Sequence, residues 1–124
     1  MADNKNSYLI KSDEQGEVRI STEVISAIAA IAALEVEQVT TVGNDITREQ
    51  IAKHSPKNVS KSVRTEVLEN VVSIDVALNL AFDSSVLKVV PMVQEKVKNS
   101  IENMTGLEVA DVNVKVIGVS AQNA

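Results

Sequence analysis

The chain of 124 residues has no cysteine and no tryptophan, and its only aromatics are Tyr8 and Phe82. Without cysteine there are no disulfides and no thiolate-held metals, and a reducing compartment is permitted. Two aromatics cannot build a stacking platform for bases. A net charge of −5, from 17 acidic and 12 basic residues, repels phosphate backbones. General nucleic-acid binding and direct adsorption to an anionic membrane are both disfavoured. The longest apolar run, Ala27 to Leu34, falls far short of the roughly 20 residues that span a bilayer. The opening residues, Met1-Ala-Asp-Asn-Lys-Asn6, lack the basic-then-apolar layout of a signal peptide. A cytoplasmic protein with no direct membrane insertion is expected.

Chemistry is equally sparse. The glycines at 16, 43, 106 and 118 are isolated and form no phosphate loop. His54, the only histidine, sits in a Lys- and Ser-rich loop with no carboxylate at ligand spacing, and reads as a solvated loop residue. No Gly-x-Ser-x-Gly elbow accompanies it. Asp75 and Glu66, on neighbouring predicted strands, are the one acid pair open to general acid–base work, which needs a positioned partner. Two exposed acids on a sheet face ordinarily confer solubility. No catalytic, cofactor-binding or metal-binding residue is assigned, no cofactor is expected, and the chain is read as a non-enzyme.

What the sequence does have is apolar pattern, with 44% hydrophobic residues supporting a globular domain. In Val72-Ser-Ile-Asp-Val-Ala-Leu-Asn-Leu80, Val72, Ile74, Val76, Leu78 and Leu80 point one way and Ser73, Asp75, Ala77 and Asn79 the other, a two-residue period that predicts a half-buried strand. Shorter strands are predicted at Glu17–Ile20, Val36–Val42, Val63–Glu69 and Val112–Ile117. A tight turn at Glu69-Asn70 joins the third of these to the organising strand. Arg64, Glu66, Ser73, Asp75 and Asn79 then lie on a wet, open sheet face.

Two helices cover the other face. The first starts at an N-cap, Ser21, with Glu23 in the first turn, and runs to about Leu34 or Glu35. On a helical wheel Val24, Ile28 and Ile31 form the core stripe, flanked by Ile25 and Ala32. The opposite stripe, Ser26, Ala29, Ala30 and Ala33, is small and uncharged, as on a helix covered on more than one side. Either the second helix lies beside it, or another chain does. On the second reading, Ala30→Glu weakens assembly and leaves the fold intact. The other helix follows Asp83-Ser-Ser85 to about Met104, with Val86, Val90, Val93, Val97, Ile101 and Met104 in one arc and Gly106 as C-cap. Pro91 inside it removes a hydrogen bond, so the helix starts near Val90 or is kinked in its first turn. Met92, on the wet side, is a further candidate contact.

A helix between two strands of one sheet predicts a parallel crossover. The order β-α-β-β-β-α-β makes an α+β two-layer sandwich, a small mixed sheet with two main helices on one face. Residues 1–15 read as a flexible N-terminal tail that can dock Tyr8-Leu-Ile10, 16–118 as a single domain, and 119–124 as a C-terminal tail. Residues 43–61, with Pro56, read as the most mobile part, with a short helix from Ile46 to Lys53.

Two long stretches carry a resemblance: Gly16-Glu-Val-Arg-Ile-Ser-Thr-Glu-Val-Ile-Ser-Ala-Ile-Ala-Ala-Ile-Ala-Ala-Leu-Glu-Val36, and Val93-Gln-Glu-Lys-Val-Lys-Asn-Ser-Ile-Glu-Asn-Met-Thr-Gly-Leu-Glu-Val-Ala-Asp-Val-Asn-Val-Lys-Val116. Together with the alternating strand before Phe82, they resemble the alkaline-shock-protein family of Gram-positive bacteria, the envelope stress response proteins. The chain departs from that pattern at Gln38, where the family has Gly, and at Phe82-Asp83, where it has Tyr-Gly. Pro91 also lies deeper in its helix than the family's proline, which falls closer to Leu87. The resemblance implies a non-catalytic, cytoplasmic interaction protein that forms homo-oligomers. A membrane-anchoring partner would recruit it to the inner membrane face. A branch of short members implies instead a link to acetyl-CoA carboxylase and fatty-acid synthesis. The alternative class is a nucleic-acid-binding α+β module, disfavoured by the acidic charge.

Overall fold

The computed structural model describes residues 7–44, 46–53 and 55–120, and His54 lies outside them. Along the described residues the elements are β1 (Ser7–Asp13), β2 (Gly16–Ser21), α1 (Thr22–Leu34), β3 (Val39–Val42), α2 (Pro56–Val59), β4 (Val63–Leu68), β5 (Val71–Ala81), α3 (Val86–Thr105) and β6 (Glu108–Ser120). The predicted order is present, preceded by one more strand. This is an α+β sandwich with a mixed sheet and two main helices on one face.

The organising strand is β5. Its Val72, Ile74, Val76, Leu78 and Leu80 are buried under the helices, as the two-residue period predicts. One edge pairs in parallel with β6 along Val71–Ala81, the crossover expected of β5-α3-β6. The other edge is shared. β4 pairs antiparallel with its first half, Val63 opposite Val76 and Leu68 opposite Val71, and β3 pairs antiparallel with its second half, Val39 opposite Leu80 and Val42 opposite Leu78. The junction falls at Ala77, whose N–H donates to the Ser62 carbonyl (3.2 Å) and whose carbonyl accepts from Gly43 N–H (2.7 Å). β3 and β4 thus lie end to end along one edge of β5. Gly43 has φ +66, and a Cβ built there would overlap the Ser62 side chain, so glycine is needed at that abutment.

The turn between β4 and β5 is the predicted pair, with Glu69 at φ 54 and Asn70 at φ 68. Two consecutive left-handed residues match the right-handed twist of the strands they join. Glutamate is a poor occupant of that conformation. The double replacement Glu69→Asn with Asn70→Gly is expected to stabilise the chain by about 1 kcal/mol, read as a higher urea midpoint at unchanged slope.

Several elements depart from expectation at their ends, β3 among them, which begins at Val39 and not at Val36. Part of the stretch read as a tail is β1, which pairs antiparallel with β2 from Ser7 opposite Ser21 to Asp13 opposite Gly16. A register shift between Leu9 and Lys11 breaks its alternation and conceals it from a period-2 reading. The turn is held by Gln15 N–H donating to Asp13 Oδ1 at 2.8 Å. At the other end β6 continues to Ser120, beyond the predicted Ile117.

Helix α1 begins where its N-cap predicts, with Ser21 Oγ accepting from Val24 N–H at 3.2 Å. Its wheel holds in part: Ile25, Ile28 and Ala32 are buried as expected, but so is the opposite stripe. Ser26, Ala29, Ala30 and Ala33 are at most 1% exposed, whereas Val24 and Ile31 are 40% and 46% exposed. The small residues let the helix backbone come close to its neighbours, and α1 packs against α3, β4, α2 and β3. Ser26 is tolerated in the core because its hydroxyl shares a 2.7 Å hydrogen bond with that of Thr65 on β4.

Helix α3 is continuous from Val86, so it does not start late at Val90. Pro91 denies a donor to the carbonyl of Leu87, which lies in the first turn on a side chain open to solvent, where water can serve. The buried ridge is Val89, Val93, Val97, Ile101 and Thr105, while Val86 and Met104 are exposed at the two ends. Gly106 closes the helix at φ 76.

Between β3 and β4, Ile46 bridges back to Val42, residues 51–53 form a 3₁₀ turn, and α2 follows. The helix expected from Ile46 to Lys53 is therefore replaced by shorter pieces. Ile46 and Val59 are buried in the core. Arg48 ties this stretch to the rest: its guanidinium donates to the carbonyls of Leu34 (2.5 and 2.9 Å), Val36 (3.2 Å) and Val39 (3.1 Å).

Candidate interaction surfaces

Of the two readings of the small-residue stripe, the second helix beside it or another chain upon it, the first describes the fold. Ser26, Ala29, Ala30 and Ala33 are covered by the sheet and the other helices, so the folded chain does not present them to a partner. Met92 is presented, 49% exposed on the outer side of α3. The Asp75–Glu66 acid pair is not assembled. Asp75 stands opposite Arg64 and Glu66 opposite Ser73. Asp75 Oδ1 accepts from Asn113 Nδ2 at 2.8 Å, and Glu66 pairs with Arg64 at 3.5 Å. Both acids are solvent-exposed and neither has a partner that would make it an acid or a base. Among the described residues no group of three or more His, Cys, Asp or Glu side chains could hold a metal ion. No helix there is long and apolar enough to cross a membrane.

Where β5 turns into α3 the chain leaves apolar surface uncovered. Phe82 is 70% exposed and Leu87, in the first turn of α3, 88%. Asp83 between them adopts φ 78, the left-handed region where the resembled family has glycine. Phe82 and Met92, with Glu37, Gln38, Ser85 and Lys88, line a cleft of about 540 Å³ against the loop after α1. The Gln38 side-chain oxygen is buried there without a hydrogen-bond partner among the described residues. An apolar rim of this kind around a polar acceptor is what a protein contact surface requires. Of these residues only Met92 is legible as a contact from sequence. Phe82 and Leu87 flank turn residues, and periodicity cannot tell that nothing folds over them.

The open face of the sheet carries a second depression. Rows of side chains cross three strands: Arg64, Asp75 and Asn113 in one, and Ser62, Ala77 and Lys115 in the next. With Lys61 these bound a cavity of about 330 Å³. Along β5, Ala77 is the small residue between Asp75 and Asn79, so the depression opens over it.

The outer edge of β6 is unpaired with any strand among the described residues, and α3 covers part of it. Gln94 Nε2 donates to the Val112 carbonyl at 3.0 Å, and Glu102 Oε2 accepts from Val109 N–H at 3.1 Å. Side chains thus occupy backbone groups that would otherwise template another strand.

Comparison with known proteins agrees with the sequence pattern. The model of the alkaline shock protein 23 family, described as having a cell envelope-related function, matches residues 10–121, and this is the alkaline-shock-protein family that the sequence resembles. The uncharacterized protein YqhY of Bacillus subtilis (strain 168) is 31% identical over 119 residues, a span of 93% of this chain and 88% of that protein. Two solved structures of MamM CTD variants superpose with TM-scores of 0.49 at 12% identity, each over 78% of this chain. They cover 94% and 96% of those chains.

Proposed function

Because the chain belongs to the alkaline-shock-protein family, whose function is cell envelope-related, we propose that it is a non-catalytic interaction protein in envelope homeostasis. It works as a homo-oligomer and docks protein partners through the corner where β5 meets α3. The observation that carries this is the exposure of Phe82 and Leu87 on either side of the turn from β5 into α3, with Phe82 and Met92 lining one cleft there. A small membrane-anchoring protein would bring the assembly to the inner membrane face. Acetyl-CoA carboxylase subunits are the competing partner class, and would make the chain a modulator of fatty-acid synthesis.

The test is the double variant Phe82→Glu with Leu87→Glu. Both side chains are exposed, so stability should change by no more than about 0.5 kcal/mol. Sedimentation velocity is expected to show an oligomer for the natural chain and a smaller species for the variant, and tagged pull-downs from membrane and soluble fractions to lose their main prey. A small membrane protein as that prey assigns an envelope tether, and carboxylase subunits assign the metabolic role. Unchanged assembly and unchanged prey in a folded variant would sink the proposal.

A further inference from the structure

We propose that the depression over Ala77 on the open face of the sheet is a binding site for a small, free phosphate monoester. Three cations border it, Lys61, Arg64 and Lys115, against one carboxylate, Asp75, in a chain whose net charge is −5. Neither Lys61 nor Lys115 has an ion-pair partner for its ammonium among the described residues. Arg64 is engaged only by an exposed 3.5 Å pair with Glu66, the kind of contact a bound anion displaces at little cost. Unpaired cations gathered around one concavity on an acidic surface focus potential there and attract a compact anion.

Charge and shape narrow the ligand. Several cations suit a dianion better than a monoanion, and a phosphate monoester is dianionic above its second pKa of about 6. At about 330 Å³ the cavity is at the small end of ligand pockets. Its walls hold no aromatic side chain, so a nucleobase would have nothing to stack on. Ser62 also lines the cavity, its hydroxyl lying against Gly43. Asp75, held by Asn113, is an acceptor on the rim, repelling bare phosphate and suited to a hydroxyl on the ester's body. The ligand class is therefore an aliphatic, hydroxylated phosphate monoester. An acidic protein is repelled by an anionic bilayer, which favours the free ester over a lipid headgroup.

Amide chemical shifts of the whole chain, titrated with inorganic phosphate and with glycerol phosphate, test this. Shifts are expected at Ser62, Ala77, Asn113 and Lys115, with glycerol phosphate the tighter ligand. Lys61→Gln and Lys115→Gln should each weaken binding about fivefold, the scale of one exposed charge pair. Ala77→Leu should fill the depression and abolish binding. Asp75→Asn should bind inorganic phosphate more tightly and lose the preference for the ester, a gain that damage to the fold cannot produce. Lowering the pH below about 6 should weaken binding as the ligand becomes a monoanion. The proposal is overturned by an absence of shifts at millimolar ligand, by binding indifferent to both lysine variants, or by capture on phosphatidylglycerol vesicles without binding of either soluble probe.

Discussion

Ala30→Glu is expected to unfold the chain, with a loss of about 4 kcal/mol or more. Ala30 is fully buried in α1, which packs against α3 and the sheet. The cost combines overpacking with the burial of an unpaired charge. On the reading that puts another chain on this stripe, the same substitution weakens assembly and leaves the fold intact. The structure reverses that expectation. Ile31→Glu, on the side the wheel assigns to the core, is half exposed and should cost no more than about 1 kcal/mol. Far-ultraviolet circular dichroism and urea titration of the two variants separate the descriptions. A folded Ala30→Glu beside an unfolded Ile31→Glu would show that α1 is rotated by half a turn.

Arg48→Ala should be the most damaging change outside the core, at about 2–3 kcal/mol. One guanidinium serves carbonyls at the end of α1, in the loop after it, and at the first residue of β3. Leu34, Val36 and Val39 are all buried, so carbonyls released from Arg48 reach water poorly. Removing the side chain takes a donor from three carbonyls at once, of which Val36 keeps the Val39 N–H at 3.0 Å, and it also frees the stretch that carries Ile46 and Val59 into the core. Arg48→Lys should recover little, because an ammonium cannot reproduce the planar fork that spans acceptors in different directions. Native-state hydrogen exchange would show β3 and the 46–53 stretch losing protection together. Equal protection of β3 in Arg48→Ala and the natural chain would refute the role.

What could be read from the sequence is what depends on neighbours a few residues away. The two-residue period of β5, the caps at Ser21 and Gly106, and the turn at Glu69-Asn70 each involve one local geometry, and each is found in place. The phase of α1 was not legible, because a helix of Ile, Val and Ala is apolar on most sides and the wheel ranks faces by size when the packing ranks them by closeness of approach. β1 was hidden by the irregularity after Leu9. The acceptors of Arg48 are backbone carbonyls up to 14 positions away, which leave no mark on residue pattern. Of the candidate surfaces, Met92 could be seen in advance. The depression over Ala77 could not, since its rim joins residues brought together only by strand register.

The shared edge of β5 carries a topological consequence. β3 and β4 run in the same direction along it, and both meet at Ala77, so together they behave as a single strand interrupted by an excursion from 44 to 62. The chain leaves the sheet and re-enters it at adjacent points, the arrangement left by an insertion into a continuous strand. Such a detour can change length without disturbing the register on either side. This one has nonetheless been recruited: Ile46 and Val59 fill the interior and Arg48 closes the end of α1. A deletion that splices β3 directly to β4 would preserve the ladder and remove these anchors, leaving a sheet with correct pairing and an open flank.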